Sequence, residues 1–106
     1  MDRLVYLVDD DDNVRESAAL LLRAHGYGIE QFASAEAFLE NVDIHAPGCI
    51  MLDVQMPGMN GLETQEALNE RAINFPVLIL TGAGDIERAV RAMKNGAFEF
   101  LEKPYD

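Results

Sequence analysis

The sequence predicts a single α/β domain built on a five-stranded parallel sheet, and three observations carry that reading. Short apolar runs alternate with segments of helical periodicity throughout the chain, the pattern of repeated β-α-β units. The first, third and fourth of these runs are continuously apolar, as strands covered on both faces require. Finally, 106 residues with 49% hydrophobic content suffice for one ordinary core and not for two. No Pro/Ser-rich linker or low-complexity stretch breaks the alternation, so residues 1–106 read as one domain.

The first strand is predicted over 4–8, where Leu4-Val5-Tyr6-Leu7-Val8 has no polar break before the acidic run Asp9 to Asp12. Asp11 and Asp12 read as helix-starting residues, with Asp12 as the N-cap and Asn13 with Glu16 fitting a capping box. Val14, Ala18, Leu21 and Leu22 share one face of that helix, which His25-Gly26 closes with a glycine suited to the left-handed cap. A second strand is predicted over 28–32, followed by a helix with Ala35, Phe38, Leu39 and Val42 on its core face. The third strand covers 49–52. The third helix covers about 62–72, where Leu68 and Ala72 share a face and Gly61 precedes the first turn. A fourth strand over 77–80 leads to a helix marked by Ile86, Ala89, Val90 and Met93 and closed by Asn95-Gly96; a fifth strand follows over 98–101. Each apolar stripe reads as core rather than as a binding feature.

Composition excludes several functions. With 19 acidic against 8 basic residues the formal charge is -11, which disfavours phosphate contacts and hence direct nucleic-acid binding by this domain. A cation or a basic partner face suits it better. The single cysteine, Cys49, can form no internal disulfide; opening an apolar strand, it reads as a buried, inert thiol. The apolar run after Met1 is too short for a signal peptide, and no stretch is long enough to span a membrane, so a cytoplasmic location is expected.

In an open parallel sheet ligands bind beyond the carboxyl ends of the strands, which right-handed crossovers bring to one edge. The residues there are Asp9 and Asp10 after the first strand, Asp53 after the third, Thr81 after the fourth and Lys103 shortly after the fifth. Two carboxylates about 4 Å apart repel by roughly 4 kcal/mol at a surface-like dielectric, so a fold that gathers three of them calls for a cation. Carboxylates with room for water suit Mg²⁺, an octahedral, oxygen-seeking ion.

These residues carry a resemblance. Val8-Asp9-Asp10, the stretch Leu52-Asp53-Val54-Gln55-Met56-Pro57-Gly58-Met59-Asn60-Gly61, Ile79-Leu80-Thr81-Gly82 and Phe100-Leu101-Glu102-Lys103-Pro104, in this order and spacing, resemble the response-regulator receiver domain, the CheY-like phosphoacceptor of two-component signalling. Thr81 to Asp85 and Ala89 to Ala97 further resemble the FixJ and NtrC classes, which join a receiver to a DNA-binding output. The resemblance implies a doubly wound sheet of flavodoxin-like order 2-1-3-4-5. It implies Asp53 as the residue phosphorylated by a sensor histidine kinase. It also implies a Mg²⁺ site of Asp9, Asp10, Asp53 and the Gln55 backbone carbonyl, and Thr81, Lys103 and Phe100 as phosphate-binding and switch residues. The Lys103-Pro104 bond becomes a candidate cis peptide. A homodimer through the fourth helix and fifth strand, and a transcriptional output, are implied as well.

The chain departs from the family in ending at Asp106, before most of the final helix that would pack beside the first. It also carries Ala83 where FixJ-like receivers often have histidine. Rival readings fare worse. An aspartate-nucleophile phosphatase of the haloacid dehalogenase class needs a second aspartate two residues after the nucleophile, and Gln55 stands there. A calcium loop starting at Asp9 would need glycine at Val14 and glutamate at Leu20. A dinucleotide loop at Gly82-Ala83-Gly84 meets Glu87 in place of its third glycine. His25 and His45 have no spacing to a second ligand.

Overall fold

A computed structural model of the chain describes residues 4–54, 56–82 and 86–102. Among these, strands and helices alternate as β1 (Leu4–Val8), α1 (Asp12–Ala24), β2 (Gly28–Phe32), α2 (Ala35–Asn41), β3 (Cys49–Asp53), α3 (Gly61–Glu70), β4 (Val77–Thr81), α4 (Ile86–Lys94) and β5 (Glu99–Glu102). The strands form one sheet of order β2-β1-β3-β4-β5 with every neighbouring pair parallel. Register aligns Val8 with Phe32 and Leu52, and Asp53 with Leu80, so the carboxyl ends of the central strands lie side by side.

Alternate strand residues feed two cores. On one side Tyr6, Val8, Ile50, Leu52 and Ile79 pack with Phe38 of α2, Leu62 and Leu68 of α3 and Ala92 of α4. On the other, Val5, Leu7, Met51 and Leu80 pack with Ala18 and Ala19 of α1. Burying each large side chain contributes roughly 1.5–3 kcal/mol, so the two-sided burial explains why β1, β3 and β4 read as unbroken apolar runs.

Helix starts follow side-chain capping. Asp11, rather than Asp12, is the N-cap of α1: its carboxylate accepts from Asn13 N and Val14 N, while Asp12 is the first helical residue and pairs with Arg15. The expected Asn13/Glu16 capping box gives way to this one-residue shift. Ser34 caps α2, and Asn60 with Glu63 forms a reciprocal capping box on α3.

Three helices end alike. The N–H groups of Gly26 and Tyr27 return to Arg23 O and Leu22 O, those of Ala72 and Ile73 to Asn69 O and Leu68 O, and those of Gly96 and Ala97 to Met93 O and Ala92 O. Each is a Schellman closure, which needs positive φ at its first returning residue. Gly26 and Gly96 supply it without strain, but in α3 the position is Ala72, at φ 57°. Ala72 therefore stands outside the helix and exposed instead of on its core face. The sequence lacks the glycine that would have marked this end.

Other departures are small. β3 and β4 extend one residue further, taking in Asp53 and Thr81, and β5 starts at Glu99, leaving Phe98 77% exposed. Leu21, Ile86 and Val90, expected in the core, are exposed; Ala89 is buried as expected, and Ala19 and Ala92, outside the predicted stripes, are buried as well.

Candidate functional site

The site is assembled from strand ends. Asp9 follows β1 and is fully buried, Asp10 beside it is exposed, Asp53 ends β3 and Thr81 ends β4, both buried. Because β1 neighbours β3 and β3 neighbours β4, residues far apart in sequence meet here. One carboxylate oxygen from each of Asp9, Asp10 and Asp53 lies within 4.8 Å of the others.

Backbone contacts fix each member. Asp9 N donates to Phe32 O at 3.1 Å, extending the ladder to β2, and Asp9 Oδ1 accepts from Asp11 N at 3.0 Å. Arg15 spans the turn: Nη1 donates to Asp9 O at 2.7 Å and Nη2 to Asp12 Oδ1 at 2.5 Å. Asp53 is held from the other side. Val54 N donates to Leu80 O at 2.9 Å and Gly61 N to Val54 O at 3.1 Å. A Cβ on Gly61 would stand 2.7 Å from both Asp53 O and Val54 Cα, so only glycine lets α3 begin this close to the aspartate. Glu36 of α2 ties down the segment before α3 by accepting from Met59 N at 3.2 Å. The Thr81 hydroxyl donates to Gly82 O at 3.3 Å.

The donor set suits a small divalent cation. Carboxylate oxygens are hard ligands, three of them concentrate charge that a cation offsets, and the exposure of Asp10 leaves room for water in the coordination shell. The geometry thus brings together the four residues predicted at the ends of the first, third and fourth strands. Phe100 is half-buried, packs against the larger core and pairs in register with Ile79. Gln55, Lys103, Pro104 and the Ala83 position lie outside the described residues.

Several supporting residues escaped sequence reasoning. Asn60 and Glu63 show the capping-box spacing openly, whereas nothing in the sequence alone links Glu36 to Met59, Arg15 to the Asp9 carbonyl or Gly61 to Asp53. His25 and His45 are exposed and stand apart from the site. Cys49, expected to be buried, is half-buried, and that partial burial pushes its thiol up, away from the reactive thiolate. Among the described residues no helix is long and apolar enough to cross a membrane.

A parallel sheet of this order, with carboxylates from two strand ends and a hydroxyl from a third on its carboxyl edge, defines an α/β signalling domain of the receiver type. The response regulator receiver domain profile matches residues 5–106, and the chain belongs to that family. It is 50% identical over 102 residues to the transcriptional regulatory protein FixJ of Azorhizobium caulinodans, covering 96% of this chain and 48% of that protein. It is 43% identical to the response regulator protein TodT of Pseudomonas putida, over 96% of this chain and 45% of that one. Among solved structures, that of response regulator StyR superposes with a TM-score of 0.92 at 45% identity, covering all of this chain and 54% of that one. FixJ-N gives 0.88 at 39%, covering 100% and 85%. The chain thus spans about half the length of the curated relatives it matches. These relatives and this site make it a receiver domain of the FixJ/TodT type, consistent with phosphorylation-dependent signalling, and nothing in them favours a dehalogenase-like phosphatase.

Proposed function

We propose that the chain is the phosphoacceptor switch of a cytoplasmic two-component system, with Asp53 as the residue that takes a phosphoryl group from a sensor histidine kinase. The observation that carries this is the meeting of Asp53 with Asp9 and Asp10 within 4.8 Å, on a strand end beside Thr81. An Asp53 carboxylate oxygen attacks the phosphorus of a phosphohistidine, the P–N bond breaks, and the imidazole leaves with the electron pair and takes up a proton. The product is an acyl phosphate on Asp53. Asp9, Asp10 and Asp53 would hold Mg²⁺, with the Gln55 carbonyl as the further ligand the family resemblance implies, and the bound ion would neutralise charge on the transferring group. Asp9 is buried and fixed at its backbone, so it orients; Asp10 is exposed and leaves the approach open to the donor.

After transfer, Asp53 carries roughly one more negative charge and additional acceptor oxygens. Thr81 turns its hydroxyl from Gly82 O to the new phosphoryl group, and Lys103 pairs with it. Phe100 then moves into the space that Thr81 leaves. Exposed apolar side chains on and beside the last two elements, Ile86, Val90, Phe98 and Leu101, favour a homodimer through α4 and β5 in the phosphorylated state. The charge of -11 disfavours direct contact of this domain with nucleic acid, and the likeness to the regulators FixJ and TodT supports a transcriptional output for the protein it serves. Beyond its own phosphorylation and slow dephosphorylation it turns over no substrate.

Peptide mapping after treatment with a small acyl-phosphate donor and Mg²⁺ tests the assignment of the nucleophile. The phosphoryl group is expected on the peptide containing Asp53; recovery on the peptide containing Asp9 and Asp10 would transfer the role to them.

A further inference from the structure

Four consecutive acids, Asp9 to Asp12, make the turn from β1 into α1, and their mutual repulsion opposes any fixed arrangement of that turn. Asp10 is the one whose side chain lacks support. Its carboxylate is exposed and no hydrogen bond holds it among the described residues, so its direction depends on the peptide planes on either side of its Cα.

Different groups hold those two planes. Asp11 N, in the plane after Asp10, donates to Asp9 Oδ1 at 3.0 Å. Asp9 O, in the plane before it, accepts from Arg15 Nη1 at 2.7 Å. Arg15 reaches back from the start of α1 to do this, and its side chain is only 13% exposed, so the bond is charge-assisted and largely sheltered from water. The other arm of the guanidinium, Nη2, donates to Asp12 Oδ1 at 2.5 Å. Both arms are thus engaged by a backbone carbonyl and by Asp12, and the clustered carboxylates of Asp9, Asp10 and Asp53 are left to a cation.

We propose that Arg15 is a positioning residue for Mg²⁺: by fixing the Asp9–Asp10 peptide plane it aims the Asp10 carboxylate into the cluster, and it acts through the geometry of its planar fork, not through its charge. This rests on the reading of the carboxylate edge as a Mg²⁺ site. The two ways of acting differ in sign. A fixed cation beside three carboxylates repels a second cation, so deleting it for reasons of charge alone tightens Mg²⁺ binding, whereas releasing the peptide plane weakens it.

Mg²⁺ titration of the unphosphorylated chain, followed by backbone amide NMR, tests this with Arg15→Lys, which keeps the charge without the planar fork, and Arg15→Met, which removes both. The same spectra report that each variant is folded. Arg15→Lys is expected to bind Mg²⁺ about tenfold more weakly than the unaltered chain, the lower end of the usual loss when a group behind a metal ligand is removed, and Arg15→Met should bind more weakly as well. In an Asp10→Ala background no carboxylate remains to be aimed, and Arg15→Lys should change the affinity no further. Unchanged binding in Arg15→Lys, tighter binding in Arg15→Met, or an undiminished further loss on top of Asp10→Ala would overturn the proposal and leave the cation site standing. An unaltered chain that binds no Mg²⁺ would remove the cation site itself, and this role with it.

Discussion

At the residue scale, the site is a matter of which side chains stand at, or just past, the carboxyl ends of β1, β3 and β4. Asp53 and Thr81 each sit one residue past an apolar run, so the spacing alone revealed them. Asp11 and Asp12 were harder to separate, because both are acids before a helix and only the hydrogen bonds decide between them. Tyr6 illustrates a residue whose role is structural though its group is titratable. It is fully buried on β1, and its hydroxyl donates to Ala46 O at 2.6 Å, pinning the segment before β3. Burial, with the Glu30 charge adding to it, raises the phenol above its ordinary 10.0, against a smaller opposing effect of the Asp43 carbonyl. The folded state therefore holds the proton more tightly than the unfolded state. This contribution is complete below pH 10.0 and is lost as pH rises through the folded value. Tyr6→Phe should cost about 1 kcal/mol at neutral pH, read from urea unfolding. The gap between the two proteins should narrow above pH 10.0; a gap independent of pH would contradict the linkage.

At the element scale, helix ends decide where strands and loops are placed. Glycine marked two of the three Schellman closures in the sequence, and the third was missed because Ala72 occupies the strained position. Ala72→Gly should relieve that strain and raise stability by roughly 0.5–1 kcal/mol, seen as a higher urea midpoint with an unchanged slope. The start of α3 is under the opposite constraint. Alanine at Gly61 improves helix propensity by about 1 kcal/mol. Its Cβ nevertheless meets backbone atoms of Asp53 and Val54 at 2.7 Å, and backbone yields less than side chains do. Gly61→Ala is expected to lose roughly 1–3 kcal/mol net and to slow phosphorylation by shifting Asp53. A stabilised protein with an unchanged phosphorylation rate would show that the contact is slack. That steric limit was invisible in the sequence, where Gly61 read only as a residue before a helix.

At the scale of the whole molecule, the order β2-β1-β3-β4-β5 makes chemistry out of sequence-distant acids. The first, third and fourth strands and the parallel arrangement were legible because short, continuously apolar runs alternate with segments of helical periodicity. The strand order came from resemblance, since periodicity says nothing about which strands are neighbours. The exposed positions of Leu21, Ile86 and Val90 were misjudged for a related reason: a helical stripe tells which residues share a face, not whether a neighbour covers it. The central claim, that this edge accepts a phosphoryl group at Asp53, is tested most directly by intact mass after incubation with acetyl phosphate. A single phosphorylation that requires Mg²⁺ and vanishes in Asp53→Ala is the predicted result. An unmodified chain with every donor tried, or equal modification of Asp53→Ala, would contradict it.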